Sequence, residues 1–170
     1  MDSLDVSGIE LRPAAAEDAD LIRRILALAS AWHDPNPSIN IAAVNPAYHE
    51  DWGRPDDVGV IAFVGIEFVG GAYARRVGPA DGTYGYVDTE HSEVTMGIEA
   101  AHRGQGVGRL VLEVLKAKAI ERGSAGLSLS VELDNSIART LYTSARFTIV
   151  EERATDVLME WHNPTRNMSR

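Results

Sequence analysis

The sequence predicts an α/β (α+β) fold, a mixed sheet with helices on its faces, and three observations lead there. Segments with a two-residue apolar period and segments with a helical period follow in the order β-α-(α)-β-β-β-α-β-α-β-β, which implies helices layered on a sheet. The chain has 170 residues, the length of one compact unit around one core. Its clearest helix begins directly after a glycine-rich turn that itself follows a strand.

Ile9 to Arg12 alternates like a half-buried strand and stops at Pro13, which has no N–H for a central ladder. From Glu17 to about Trp32, Leu21, Ile22, Ile25, Leu28 and Ala29 fall at helical spacing, and Glu17, Asp18 and Asp20 suit the positive end of that helix. His33 to Asp57 holds four of the seven prolines and reads as a loop bordering a site, with a short helix near Ala47 to Trp52. Val58–Val64 and Glu67–Arg76 form a hairpin around Gly65-Ile66, with Gly70-Gly71 marking a bulge or a close approach. After a loop over residues 77–89, Ser92 to Ile98 is the next strand. Val107, Leu110, Val111, Val114 and Leu115 then define the strongest helix, stopped by Gly123. Leu127 to Val131 is a strand, Asn135 to Ala145 a helix capped by Asp134 or Asn135, and Phe147–Arg153 and Val157–Trp161 close the chain. We expect a flexible N-terminus over residues 1–8, one domain over 9–162, and a polar tail over 163–170 that frays.

Sixteen Lys and Arg against twenty-five Asp and Glu leave a net charge of −9, which argues against nucleic acid as a partner, although acidity for solubility alone is an equally simple cause. No cysteine is present, which removes disulfides, cysteine-containing zinc sites and every thiol-based mechanism. The start of the chain lacks a basic, apolar leader and no apolar run is long enough to span a bilayer. The expectation is a cytoplasmic protein with no membrane partner.

The sharpest chemical feature is Arg103-Gly104-Gln105-Gly106-Val107-Gly108-Arg109, between a strand and the strongest helix. Glycines let a ligand approach the backbone, and the first helical amides with the helix dipole suit a diphosphate. A tight connection that needs glycine only for its backbone angles is the plain alternative. A phosphate-binding P-loop requires Gly-Lys-Ser/Thr, whereas Gly108 is followed by Arg109-Leu110, and the dinucleotide fingerprint requires a third glycine at position 109. Both fail. Histidines 33, 49, 91, 102 and 162 show no metal-binding spacing, so no metal is expected.

The R-x-x-G-x-G turn, preceded by Glu93-Val94-Thr95-Met96-Gly97-Ile98 and followed by Asp134 to Tyr142 in the pattern N-x-x-A-x-x-L-Y and then Phe147, resembles the GNAT family of acetyl-CoA-dependent N-acetyltransferases over nearly the whole chain. Leu11-Arg12-Pro13 with Asp18 is similar to that family's opening. Ala100 stands where the family often has proline, and Arg146 where it usually has glycine. The resemblance implies a six- or seven-stranded mixed sheet whose fourth and fifth strands splay apart to receive the pantetheine arm of acetyl-CoA. It implies that the backbone of Met96 and Ile98 meets that arm or the developing oxyanion, with Gly97 easing a bulge there, and that Arg103, Gly104, Gln105, Gly106, Val107, Gly108 and Arg109 cradle the diphosphate. Asn135 contacts the arm or only caps its helix.

By the same resemblance Glu93 is the candidate base that deprotonates an amine of pKa ~10.4, with an ordinary strand carboxylate as the alternative. Tyr142 is the candidate acid for the departing thiolate, the alternative being an aromatic packed beside Phe147. His91, two positions from Glu93, assists or is a surface histidine. Trp32, Asp34, His49, Trp52, Tyr84 and Tyr86 line an acceptor pocket or close the core. The expected function is N-acetylation of a primary amine by direct attack in a ternary complex, on a small-molecule or peptide acceptor of cationic character. The alternative is a non-catalytic acyl-CoA-binding or regulatory module. The acceptor's identity and the oligomeric state, a homodimer among the options, stay open.

Overall fold

The computed structural model describes residues 8–168. The N-terminus expected to be flexible lies, except for Gly8, outside the described residues, as do the last two residues of the tail. Seven strands form one sheet in the order β1-β2-β3-β4-β5-β7-β6. They are β1 (Ile9–Pro13), β2 (Val58–Val64), β3 (Glu67–Arg75), β4 (His91–Ile98), β5 (Gly126–Glu132), β6 (Thr148–Glu152) and β7 (Asp156–His162). All neighbours are antiparallel except β4 and β5. The helices are α1 (Ala19–Ser30), α2 (Val107–Glu121) and α3 (Ser136–Ser144). Among the described residues no helix is long and apolar enough to cross a membrane.

One face of the sheet is apolar from β2 to β5 and on β7 and is covered by α2 and α3, whereas the other is covered by α1 at Tyr73 and Gly97 and carries the polar side chains of His91, Glu93, Ser128 and Glu160. Val60, Ala62, Ala72, Ala74, Val94, Leu127, Leu129, Val157 and Met159 pack against Val107, Val111, Leu112 and Leu115 of α2 and against Tyr142 and Phe147. Ile22 and Ile25 of α1 cover Tyr73 from the other face. The helix expected from Glu17 starts two residues later, since Ala16–Asp18 is a 3-10 turn. There Asp18 accepts two hydrogen bonds from Arg12, at 2.7 and 2.8 Å, and one from Ala15 N–H at 2.6 Å. The short helix expected at Ala47 to Trp52 is replaced by 3-10 turns at Ile41–Ala43 and Pro46–Tyr48, because the Arg75 guanidinium takes the carbonyls of Ala47 and Glu50 that a longer helix would use internally.

The glycines explain how the layers close. Register slips between β2 and β3 where Val69 is left without a partner, next to Gly70 at φ +146°, so the expected bulge is there. Gly97 does not ease a bulge in β4, whose register with β3 is unbroken from Arg75–Glu93 to Gly70–Ile98. It is glycine because α1 crosses it: a Cβ would lie 2.6 Å from Ile25 O and from Leu28 Cβ. Past His162 the chain does not fray at once, since buried Asn163 donates from Nδ2 to Ser124 O at 3.0 Å and the chain continues as a 3-10 turn at Pro164–Met168.

Candidate functional site

β4 and β5 pair only over His91–Gly126, Ser92–Leu127 and Glu93–Ser128. Beyond that point β5 keeps its full register with β7 while β4 stays on β3, so a gap opens between Met96–Ile98 and the end of β5. The glycine-rich turn lies at the open end. Gly104 sits at φ +73° and Gly106, the N-cap of α2, at φ +84°, conformations that cost an L side chain about 1–2 kcal/mol. No side chain caps α2 and no acidic residue stands in its first turn. Its first amides, behind a turn with no side chain at Gly104 or Gly106, form a dipole-assisted anion site that fits a diphosphate. Gly108 lets α3 approach, since a Cβ there would lie 3.2 Å from Leu141 Cδ2.

The two arginines of the turn are turned elsewhere. Arg103 donates from Nε to Ile98 O at 2.9 Å and from Nη1 to Trp32 O at 2.9 Å, closing the turn onto the last residue of β4 and the end of α1. Arg109 donates to Ser144 Oγ on α3 at 3.0 Å. Gln105 donates to Ala101 O at 3.3 Å, and Val107 is buried in the core. Arg24 grips Glu99 through two hydrogen bonds of 2.8 and 2.9 Å, fixing the end of β4 against α1. Asn135 caps α3, its Oδ1 accepting from Ala138 N–H at 3.2 Å.

Glu93 is 5% exposed, and its Oε1 accepts from Gly85 N–H at 2.8 Å while Oε2 is buried without a partner. Burial pushes the carboxyl above its usual range, against the opposing pull of the Thr83 and Tyr48 hydroxyls, the Gly85 N–H and the positive charge of Arg153. Gly85 must be glycine, because a Cβ would lie 2.7 Å from that carboxylate. Tyr48 is the residue that sequence reasoning missed: its hydroxyl accepts from Tyr84 N–H at 2.8 Å, and its phenol is raised by burial and by the charge of Glu93. Only its place in the proline-rich loop hinted at a site. That loop is anchored by the buried pair Arg75–Asp57 at 2.8 Å and by Tyr73 Oη donating to Tyr48 O at 2.8 Å.

Tyr142, the buried residue of α3, lies on the opposite face from Glu93 in the core shared with α2, its ring 5.6 Å from that of Phe147. Burial raises its phenol, and no hydrogen bond engages its hydroxyl among the described residues. The gap between β4 and β5 is therefore the route by which the two side chains could meet one substrate. Arg146 adopts φ +70°, the conformation a glycine would supply. Phe147 N–H bonds Tyr142 O at 2.9 Å and Arg146 N–H bonds Thr143 O at 3.0 Å, so the left-handed helix ending is kept despite the arginine.

The other expected site residues divide. Trp52 donates to Ala15 O, packs edge-on against Tyr73 and lines a surface cavity with Ala14, Arg54 and Arg122, whereas His49 is buried. Trp32 donates from Nε1 to Glu132 Oε2 at 2.6 Å and bridges the end of α1 to the end of β5 at the mouth of the gap. Asp34 and Tyr84 are exposed, and Tyr86 is half-buried. His91 is not a surface residue: it is 5% exposed, and its Nδ1 lies 3.0 Å from both oxygens of Asp88.

Residues 24–147 match the acetyltransferase (GNAT) family. A mycothiol acetyltransferase from Jonesia denitrificans is 30% identical over 139 residues, which is 79% of this chain and 41% of that protein, so the chain spans about two fifths of the length of that curated relative. The GNAT domain of S. lividans PAT superposes with a TM-score of 0.68 at 25% identity, over 91% of this chain and 90% of that one. The structure of yncA from Salmonella typhimurium, a putative acetyltransferase solved with its cofactor acetyl-CoA, superposes with a TM-score of 0.65 at 18% identity, over 92% and 94% of the two chains.

Proposed function

This chain belongs to the acetyltransferase (GNAT) family, and from that membership we propose that residues 9–162 transfer an acetyl group from acetyl-CoA to a primary amine by direct attack in a ternary complex. The observation that carries the reading is the gap between β4 and β5, floored by a buried carboxylate and ending at the uncapped start of α2. The diphosphate sits on the amides of residues 104–109, with the Arg103 and Arg109 side chains swung toward it. Arg103 leaves Ile98 O as it does so, which frees that carbonyl for an amide of the pantetheine arm, and Asn135 holds α3 in place beside it. A backbone N–H of the Met96 to Ile98 segment supports the oxyanion.

In the reaction the ammonium acceptor first gives one proton to Glu93, directly or through water; the freed amine nitrogen then bonds the acetyl carbon, the carbon–sulfur bond breaks, Tyr142 gives its proton to the departing sulfur, and the second proton lost from nitrogen restores the tyrosine through solvent. A carboxyl raised by burial is a stronger base than an exposed one, which suits Glu93 to an ammonium acceptor. Tyr142 stays protonated at every working pH, and the same dry surroundings that raise its phenol also raise the basicity of a thiolate leaving beside it. The absence of cysteine favours direct attack over a cysteinyl intermediate. The net charge of −9 favours a cationic acceptor, small molecule or peptide, over an anionic one, and a cytoplasmic setting accords with the cysteine-free composition.

A panel of amines assayed by thiol release tests the reading, and a chain without cysteine contributes no background to thiol reagents. Release above the hydrolysis rate with at least one amine is expected. Saturable acetyl-CoA binding with no release from any amine would instead establish a non-catalytic acyl-CoA-binding module.

A further inference from the structure

On the face of the sheet that carries Glu93, the strand register aligns His91, Gly126 and His162 in one row and Glu93, Ser128 and Glu160 in the next. Gly126 has no side chain, and a Cβ there would lie 2.8 Å from Cδ2 and Nε2 of His91, so the imidazoles of β4 and β7 meet across β5 with ring centres 5.3 Å apart. Glu160 reaches both: its Oε1 is 2.9 Å from His162 Nε2 and its Oε2 is 4.0 Å from His91 Nε2. One ligand atom from each of the three residues lies within 4.8 Å of the others.

The decisive group is His91. Its Nδ1 lies 3.0 Å from both oxygens of Asp88, and an ionised carboxylate only accepts, so the ring proton is on Nδ1. Its Nε2 is buried without any hydrogen-bond partner and faces Glu160 Oε2 at 4.0 Å, too far for a direct hydrogen bond. A cation between them satisfies both. A carboxylate holding the far nitrogen of an imidazole is the arrangement that orients metal-ligating histidines and raises their basicity. From this geometry we propose that His91, Glu160 and His162 bind one divalent transition-metal ion of zinc type, with a fourth position open to water on the side of the exposed His162.

Two imidazoles and one carboxylate suit zinc or cobalt, whereas magnesium and calcium favour all-oxygen shells. A second cluster at the opposite end of β5, His33, Glu132 and Asp134, offers one imidazole and two carboxylates, but it is exposed throughout and contains no buried unpartnered atom. The bound ion ties β4 to β7 across β5, at the closed end of the gap.

The test uses full-length protein stripped with a chelator, then titrated with zinc chloride by calorimetry and with cobalt chloride by visible absorption. The expected results are one ion per chain with a micromolar or tighter Kd, a cobalt spectrum of tetrahedral intensity, and a zinc-dependent rise in Tm of several degrees. His162→Ala and Glu160→Gln each weaken zinc binding at least about tenfold, and Asp88→Asn about 10–100-fold, with His33→Ala unchanged. His162 and Asp88 are largely exposed, so these variants separate lost binding from lost folding. No saturable binding at millimolar zinc, equal affinity in His162→Ala and the parent protein, or loss of the ion in His33→Ala would each overturn the proposal.

Discussion

Gly85 donates its backbone N–H to Glu93 Oε1 at 2.8 Å, a bond that joins those of Asp88 to His91 in seating the loop of residues 77–89 on β4 while leaving Glu93 Oε2 buried and bare. A buried carboxylate satisfied on one side only is costly for folding and available for a proton. Removing its charge should therefore separate stability from activity.

For Glu93→Gln, activity and stability should move in opposite directions. Its carboxyl is raised in the folded protein, so its contribution to stability is fully present below the unfolded value and is lost as pH rises through the folded one. The variant should melt above the parent near pH 8, with the difference vanishing toward pH 4. Its kcat/KM should fall at neutral pH and recover in part at high pH, where more acceptor is unprotonated. Melting curves and pH–rate profiles check both limbs. A parent-like pH profile in the variant would move the base elsewhere.

Tyr142→Phe keeps the α3 ring in the core shared with α2 and removes a hydroxyl that has no bond to lose. Tm should change little, acetyl-CoA affinity should hold, and the rate should fall ~10²–10⁴-fold. Single-turnover kinetics with bound cofactor separate this from a packing defect, which would weaken binding and Tm together.

The turn before α2 should respond to substitution through binding first. Acetyl-CoA at a hundredfold excess over Kd adds about 2.7 kcal/mol to the parent's stability. Gly106→Leu places a side chain where the diphosphate would lie, at a φ of +84° that already disfavours it. It should lose the ligand-induced thermal shift while remaining folded by circular dichroism.

Arg146 ends α3 at φ +70°, a conformation in which a non-glycine residue is strained by about 1–2 kcal/mol. Glycine recovers that strain and gives back about 0.5–1 kcal/mol through its freer unfolded chain. Arg146→Gly should be more stable by about 0.5–1 kcal/mol, a rise of roughly 1–4 °C in Tm. Thermal unfolding without ligand measures it.

Much of this arrangement was legible in the sequence because it is local. The period of Val107 to Leu115, the strand alternation and the R-x-x-G-x-G turn each report their own few residues. Asn135 caps α3 through the bond it accepts from Ala138 N–H, a local role that its place before the helix makes legible. What could not be read is what strand pairing and long loops bring together. Gly97 is glycine because of α1, nearly seventy residues earlier, and a local reading assigned it to a bulge. Tyr48 comes near enough to feel the charge of Glu93 because Arg75 and Tyr73 anchor its loop. His91 and His162 are neighbours solely through their shared partner Gly126, so no spacing along the chain could reveal a cluster.

The Trp32–Glu132 hydrogen bond gives the protein a built-in optical reporter. Trp161 is buried and Trp52 is packed on Tyr73, so their emission is set by the core, whereas the Trp32 indole sits half-exposed on the last carboxylate of β5. Carboxylates near an indole shift and quench its light, and the carbonyl of Trp32 is held by the same Arg103 that grips Ile98. A ligand that draws Arg103 away would release one of the two tethers of this residue, so occupancy of the gap should be readable in the spectrum of the unlabelled chain.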